Sequence, residues 1–182
     1  MNTSHMNLQF RLATWADVPA ITRLTNLAYG GGEDGQSDKA WTHEGTLFEG
    51  ERTHDAEVSA NLRTPGNVFL LGIAGERILS STLLQFSADA VYIGLLAVEP
   101  NMQGSGLGKQ VLAECERQAR ERGIRRMTMM VISSHRPELV AYYARRGYRL
   151  TGRYGQFSRP AAQELAERIG MKLEWMEKEI EG

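Results

Sequence analysis

The sequence predicts an α/β fold: a single domain, residues 8–182, with a mixed, mostly antiparallel central sheet of about seven strands and helices on both faces. Two observations predict it. Three β-rich runs, "NVFLLGIA", "RILSSTLLQF" and "VYIGLLAV", follow one another with only "GE" and "SADA" between them, gaps short enough for hairpin turns. After them helical and strand-like patterns alternate, which requires helical crossovers and so at least one parallel strand pair. At 182 residues, with no internal repeat and no linker-like stretch, the chain fits one core, since domains run to ~100–200 residues.

Each element has its own signal. The opening "MNTSHM" is polar and patternless, and its "SHM" resembles a cloning remnant, so residues 1–7 are set aside from the fold. "LQFRL" alternates as a strand. Thr14 can cap the helix that follows, with Asp17 three residues on near its positive end, and Val18, Ile21, Leu24 and Ala28 form the apolar stripe. "YGGGEDGQ" ends that helix, and a weakly periodic segment, Asp38 to Glu51, brings Trp41, Thr42, His43 and Glu44. A second helix is expected over Asp55 to Arg63, stopped by "TPG". The three strands come next, then a glycine turn and a helix from Gly106 to Arg122 closed by Gly123. "RRMTMMVIS" reads as a strand parallel to the last of the three, "PELVAYYARRG" as a helix with Pro137 in its first turn and Gly147 beyond its end, and "YRLTGRYGQF" as a strand. "SRPAAQELAERIG" gives one more helix and "MKLEWMEKEI" the closing strand.

Composition excludes several functions. Hydrophobic residues make up 42% and charged residues 24%, the usage of an ordinary globular chain. A formal net charge of −1 argues against phosphate-backbone binding as the main task, so no nucleic-acid partner is expected. The basic run "RQARERGIRRM" interleaves Arg117, Arg120, Arg122, Arg125 and Arg126 with Glu116 and Glu121 behind Glu114, as a solvated, partly ion-paired surface does. No apolar run approaches the ~18 residues that cross a bilayer, and the N-terminus has no signal-peptide pattern, so a soluble cytoplasmic protein without a membrane partner is expected. The one cysteine, Cys115, recurs with Leu112 and Ala119 at helical spacing and reads as core. The four histidines show no metal-ligand spacing, and no metal is expected.

The stretch "VEPNMQGSGLGKQVL" carries the most chemistry. Gly104, Gly106 and Gly108 precede a helix whose N-terminus offers unpaired amides and a partial positive charge, an attraction for phosphate where no side chain blocks the approach. A nucleotide P-loop fails, because Gln103 stands where it needs glycine and Gln110 where it needs Ser or Thr. A dinucleotide fingerprint counted from Gly104 fails at Lys109. What fits is Gln-x-x-Gly-x-Gly, as Gln103, Gly106 and Gly108, directly after "LLAVEP".

With "LLAVEP" before it, "VLAECERQARERG" after it, then "AYYARRGY" and the closing "WMEKEI", the chain resembles the GNAT superfamily of N-acyltransferases from about Leu8 onward. The resemblance implies acetyl-CoA as acyl donor and a sheet splayed between its fourth and fifth strands. Main-chain groups of Leu96, Ala97 and Val98 would pair with the pantetheine arm. The amides of Gln103, Gly104, Ser105, Gly106, Leu107, Gly108 and Lys109 would take the pyrophosphate. Arg136, with Leu139, stands where many relatives have Asn-x-x-Ala, which puts Arg136 at a cofactor-contacting position. Tyr143 falls at the motif's tyrosine, where a phenol can protonate or stabilise the departing thiolate. Tyr142 beside it is the natural ring to pack the helix onto the sheet.

The resemblance implies an N-acetyltransferase acting on an amine of a small molecule or a peptide N-terminus, by direct attack in a ternary complex. A homodimer is left open. An amine of pKa ~10 is mostly protonated at neutral pH, so a proton acceptor is needed. Many relatives use a glutamate on the fourth strand, yet "VYIGLLAV" has no acid, and Glu99 reads as a solvated turn residue. The remaining candidates are Glu44 and His43 in "WTHE" and His135 after the fifth strand, with Glu44 preferred and Trp41, His43 and Glu44 as the acceptor-binding group. The missing carboxylate also leaves open a non-catalytic acyl-CoA-binding sensor.

Overall fold

A computed structural model describes residues 7–30 and 51–181. The strands are β1 Gln9–Leu12, β2 Asn67–Ala74, β3 Arg77–Phe86, β4 Val91–Val98, β5 Arg126–Ile132, β6 Arg149–Gly155 and β7 Leu173–Glu179. They form one mixed sheet in the order β1-β2-β3-β4-β5-β7-β6. The helices are α1 Val18–Ala28, α2 Asp55–Arg63, α3 Leu107–Glu121, α4 Pro137–Ala144 and α5 Pro160–Ile169. Among the described residues no helix is long and apolar enough to cross a membrane. The chain divides into two compact units, the first taking residues up to Ser87 and again Ile93–Gln118, the second Ala88–Tyr92 and Ala119 onward.

In the first unit β1 and β2 pair antiparallel from Gln9↔Ile73 to Leu12↔Leu70, and β2 and β3 from Asn67↔Gln85 to Ala74↔Arg77. Four consecutive residues of β2 and six of β3 are buried, so both faces of these strands are shut off from water. One face meets the apolar stripe the sequence predicts: Val18 and Ile21 of α1 and Val58 of α2 pack with Phe69, Leu71 and Leu83. Ile21, Val58 and Phe69 are fully buried, each burial being worth about 1.5–3 kcal/mol. On the other face the chains approach too closely for a side chain at Gly72, whose Cβ would lie 2.3 Å from Ser80 Oγ. The entry to α1 is fixed by charge. Asp17 accepts from Arg11 Nη1 and Nη2 at 2.7 and 2.8 Å and from the Thr14 amide at 2.7 Å. Those donors hold its carboxyl well below the usual range, with the Arg11 hydrogen bonds the largest cause.

In the second unit β5 pairs antiparallel with β7 along its whole length, from Arg126↔Glu179 to Ile132↔Leu173, and β7 pairs antiparallel with β6. The first residues of β4 join it through the parallel pairs Val91↔Met127 and Tyr92↔Thr128. β4 itself runs on to Val98, in the first unit. α5 closes on Gly170 at φ 68°, the left-handed stop that the sequence signals.

Candidate functional site

The glycine turn belongs to the first unit. β4 delivers the chain through Glu99, whose amide donates to Leu79 O at 2.8 Å, into a 3₁₀ turn at Pro100–Met102. The amides of Gln103 and Ser105 then donate to Pro100 O and Met102 O, each at 3.3 Å. Gly104 and Gly106 lie at φ 81° and 88°, a region other residues enter only at a cost, and a Cβ on either would meet open space. Nothing in packing forbids a side chain there; the backbone path does.

At the start of α3 the amides of Lys109 and Gln110 both donate to Gly106 O, at 3.1 and 3.3 Å. Among the described residues, the amides of Gly104, Gly106, Leu107 and Gly108 have no protein acceptor. Gly104, Ser105 and Gly106 are exposed, and Leu107 is buried. The result is an exposed helix N-terminus carrying unspent donors and the positive end of a four-turn dipole, arranged to receive an anion. Lys109, Ser105 and Gln103 already spend their own amides within the turn.

Two details of this unit went unread in the sequence. The Gln103 side chain folds back, its Nε2 donating to Val98 O at 3.4 Å, so the glutamine ties the loop to the end of β4. Leu95, in the middle of β4, sits at φ 46°, the one non-glycine residue described at positive φ. No residue type announces that kink. The groups expected to meet a pantetheine arm follow it, with Leu96 and Val98 half-buried and Ala97 buried. Gln110, where a P-loop would place its hydroxyl, instead accepts from the Leu8 amide at 3.0 Å and ties α3 to the start of the chain's first strand.

Tyr143 belongs to the second unit, near the end of α4. The helix ends at Ala144 with Gly147 beyond its end, as the sequence predicts, and Gly147 at φ 89° turns the backbone left-handed. The Tyr148 amide donates to Tyr143 O at 3.2 Å and the Gly147 amide to Ala144 O at 3.0 Å, the paired bonds of a Schellman cap. Such a cap brings the residue after the glycine onto the residue five before it. Here those are Tyr148 and Tyr143, with ring centroids 6.1 Å apart and planes at 71°. The spacing in "YARRGY" is thus the spacing of the cap. Tyr148 is the buried ring at 1% exposure, while Tyr142, expected to pack the helix, is half-buried beneath Arg146. Burial raises the Tyr142 phenol's pKa, against Arg146 and Arg145, which lower it.

Arg136 precedes α4, is buried, and its Nε donates to the Glu138 carboxylate. His135 is exposed, with Nδ1 2.8 Å from Ser134 Oγ, which itself accepts from the Lys172 amide at 2.8 Å. Trp41, His43 and Glu44 lie outside the described residues. Cys115 is fully buried, and burial, then Glu114 and Glu116, push its thiol up, which makes it inert core. Arg117 pairs with Glu114 and Arg120 donates to Glu181 O, so part of the basic run is spent on local contacts. Among the described residues no group of His, Cys, Asp and Glu could hold a metal ion.

Residues 35–148 match the acetyltransferase (GNAT) family. No curated protein matches the chain in sequence. Solved structures share its fold at low identity. The ribosomal-protein-S18-alanine N-acetyltransferase from Escherichia coli is 13% identical, with 96% of this chain and 95% of that one covered at a TM-score of 0.68. The PaiA N-acetyltransferase from Thermoplasma acidophilum, in complex with coenzyme A, is 16% identical over 96% and 99% at 0.67. A phosphinothricin acetyltransferase from Sinorhizobium meliloti, in complex with acetyl-CoA, is 18% identical over 96% and 89% at 0.67.

Proposed function

The chain belongs to the GNAT acetyltransferase family, and from that premise we propose that it moves an acetyl group from acetyl-CoA to an amine of a small molecule or a peptide N-terminus. The observation that carries the reading is the exposed turn at the start of α3, where the amides of Gly104, Gly106, Leu107 and Gly108 have no acceptor among the described residues. These donors hold the pyrophosphate, and the dipole of α3 adds to them. Main-chain groups of Leu96, Ala97 and Val98 take the pantetheine arm, and Arg136 is a further cofactor contact.

The neutral amine nitrogen attacks the thioester carbonyl carbon directly, forming the C–N bond in a ternary complex. As the C–S bond breaks, the Tyr143 phenol gives its proton to the departing sulfur or holds the thiolate by a hydrogen bond. The proton lost by the amine goes to Glu44 or to a water it orients, with Trp41 and His43 lining the acceptor's place. One structural neighbour acts on a ribosomal-protein alanine and another on phosphinothricin. They share only the fold, so both peptide and small-molecule acceptors stay in the proposal.

Thiol release from acetyl-CoA with a panel of amines tests the reading. Stimulation by at least one amine, lost roughly a hundredfold in Tyr143→Phe, is the expected result. A second reading has a specific motive: β4 carries no carboxylate to act as base. In that case the protein is an acyl-CoA-binding sensor, and it binds acetyl-CoA while no amine stimulates release.

A further inference from the structure

We propose that Tyr142 and Arg146 are positioning residues for Tyr143, the Arg146 guanidinium fixing the Tyr142 ring, which together with Tyr148 fixes the plane of the Tyr143 phenol. The inference rests on the acid role given to Tyr143 above. α4 has only eight residues, none of them buried, so packing alone gives it little to hold its last turn. Tyr143 sits in that turn, where a helix normally frays. A phenol that meets a leaving sulfur in one geometry needs firmer support than such an end provides.

The support is built from the neighbouring side chains. Arg146 Nη1 donates to Tyr142 O at 2.7 Å, satisfying a carbonyl that the helix end leaves open, and its Cζ lies 3.4 Å from the Tyr142 ring centroid. Backbone and ring of Tyr142 are therefore held by one side chain. The Tyr142 ring stands nearly perpendicular to Tyr143, with centroids 5.3 Å apart and planes at 83°. Tyr148, held by the cap and buried, also meets Tyr143 edge-to-face, with centroids 6.1 Å apart and planes at 71°, and Lys178 Nζ lies 5.7 Å from its ring centroid. Tyr143 thus meets two rings edge-to-face, each with a cation beside it. The cap accounts for the place of Tyr148, whereas Tyr142 is held by Arg146.

Acetyl-transfer kinetics on the full chain, with the best amine from the thiol-release panel, test the inference. Tyr142→Leu and Arg146→Met are each expected to lower kcat about tenfold while the KM for acetyl-CoA holds. Tyr142→Phe, which keeps the ring, is expected to stay within about twofold, and Arg146→Lys to fall between Arg146→Met and the parent. A positioning role has a further signature: in the Tyr143→Phe background, with no phenol left to aim, Tyr142→Leu costs less than about twofold. The inference is overturned if Tyr142→Leu lowers kcat equally in both backgrounds, or leaves it intact while Tyr143→Phe lowers it. Full activity in Tyr143→Phe instead overturns the acid role itself. Thermal melts accompany each variant; if Tyr142→Leu unfolds below the assay temperature, Arg146→Met in both backgrounds decides by the same criteria.

Discussion

Two helix ends in this chain are built on glycines at positive φ and treat their backbone groups in opposite ways. At the start of α3, in the first unit, Gly104 and Gly106 hold a turn open and four amides have no acceptor among the described residues. At the end of α4, in the second unit, Gly147 closes a cap in which the last carbonyls are taken by Gly147, Tyr148 and Arg146. The same backbone conformation serves two purposes. An open terminus offers its charge to something outside the chain; a closed one fixes side chains in place. The difference lies in which groups are left unsatisfied, and the two ends should therefore fail in different measurable ways.

The largest effect is expected for Tyr143→Phe, which keeps the ring and removes the proton: kcat falls roughly a hundredfold with acetyl-CoA affinity unchanged. Gly106→Ala strains an open position by about 1–2 kcal/mol and disturbs the amides beside it. Calorimetry should read an acetyl-CoA affinity lower by tenfold or more, on the order of one lost charge-assisted hydrogen bond. Gly123→Ala, at φ 71° beyond the other end of α3 and also in open space, is the matched control. It should lose similar stability and no affinity. Equal losses of affinity in the two variants would break the comparison. Gly147→Ala should lower kcat severalfold and leave acetyl-CoA affinity alone, because strain of about 1–2 kcal/mol there loosens the cap and not the turn.

Gln103→Ala removes one long hydrogen bond to Val98 O, and a two- to fivefold weaker acetyl-CoA titration is expected, about 0.5–1 kcal/mol. The smallest effect on function is expected for Asp17→Asn, remote in sequence from both ends. The Asp17 carboxyl is held below its ordinary value by Arg11, so its contribution to stability is full above the ordinary carboxylate range. That contribution is lost as pH falls through that range toward the folded value. Asp17→Asn should remove this part of the acid-unfolding profile and lower stability at neutral pH, with kcat and affinity unchanged.

Much of the fold was legible because it is written in local signals. The runs "NVFLLGIA", "RILSSTLLQF" and "VYIGLLAV" coincide with β2, β3 and β4, and Asp55 to Arg63 with α2. Pro65, Gly66, Gly75 and Pro100 sit beside the strand limits, and Val, Ile, Leu and aromatic residues supply most of the strand positions. The place of β7 between β5 and β6 was not legible, since strand order is decided by pairing across distant residues. The turn at Gln103 to Lys109 could be located by motif, but which amides stay unspent needed hydrogen bonds whose acceptors are ordinary carbonyls of Pro100, Met102 and Gly106. Leu95 at φ 46° has no sequence signature, because leucine there is a residue the conformation disfavours. The reverse holds for Tyr143, Gly147 and Tyr148: once the cap is seen, their spacing is required by it. The acceptor group Trp41, His43 and Glu44 rests on sequence and resemblance.

The most direct test of the central claim follows the backbone amides of an isotope-labelled sample as coenzyme A is added. The amide resonances of Gly104, Gly106, Leu107 and Gly108 are expected to shift downfield together, with hydrogen exchange slowed, while those of Gln103, Ser105 and Lys109 move little. Saturable binding of coenzyme A that leaves those four amides unshifted would contradict it.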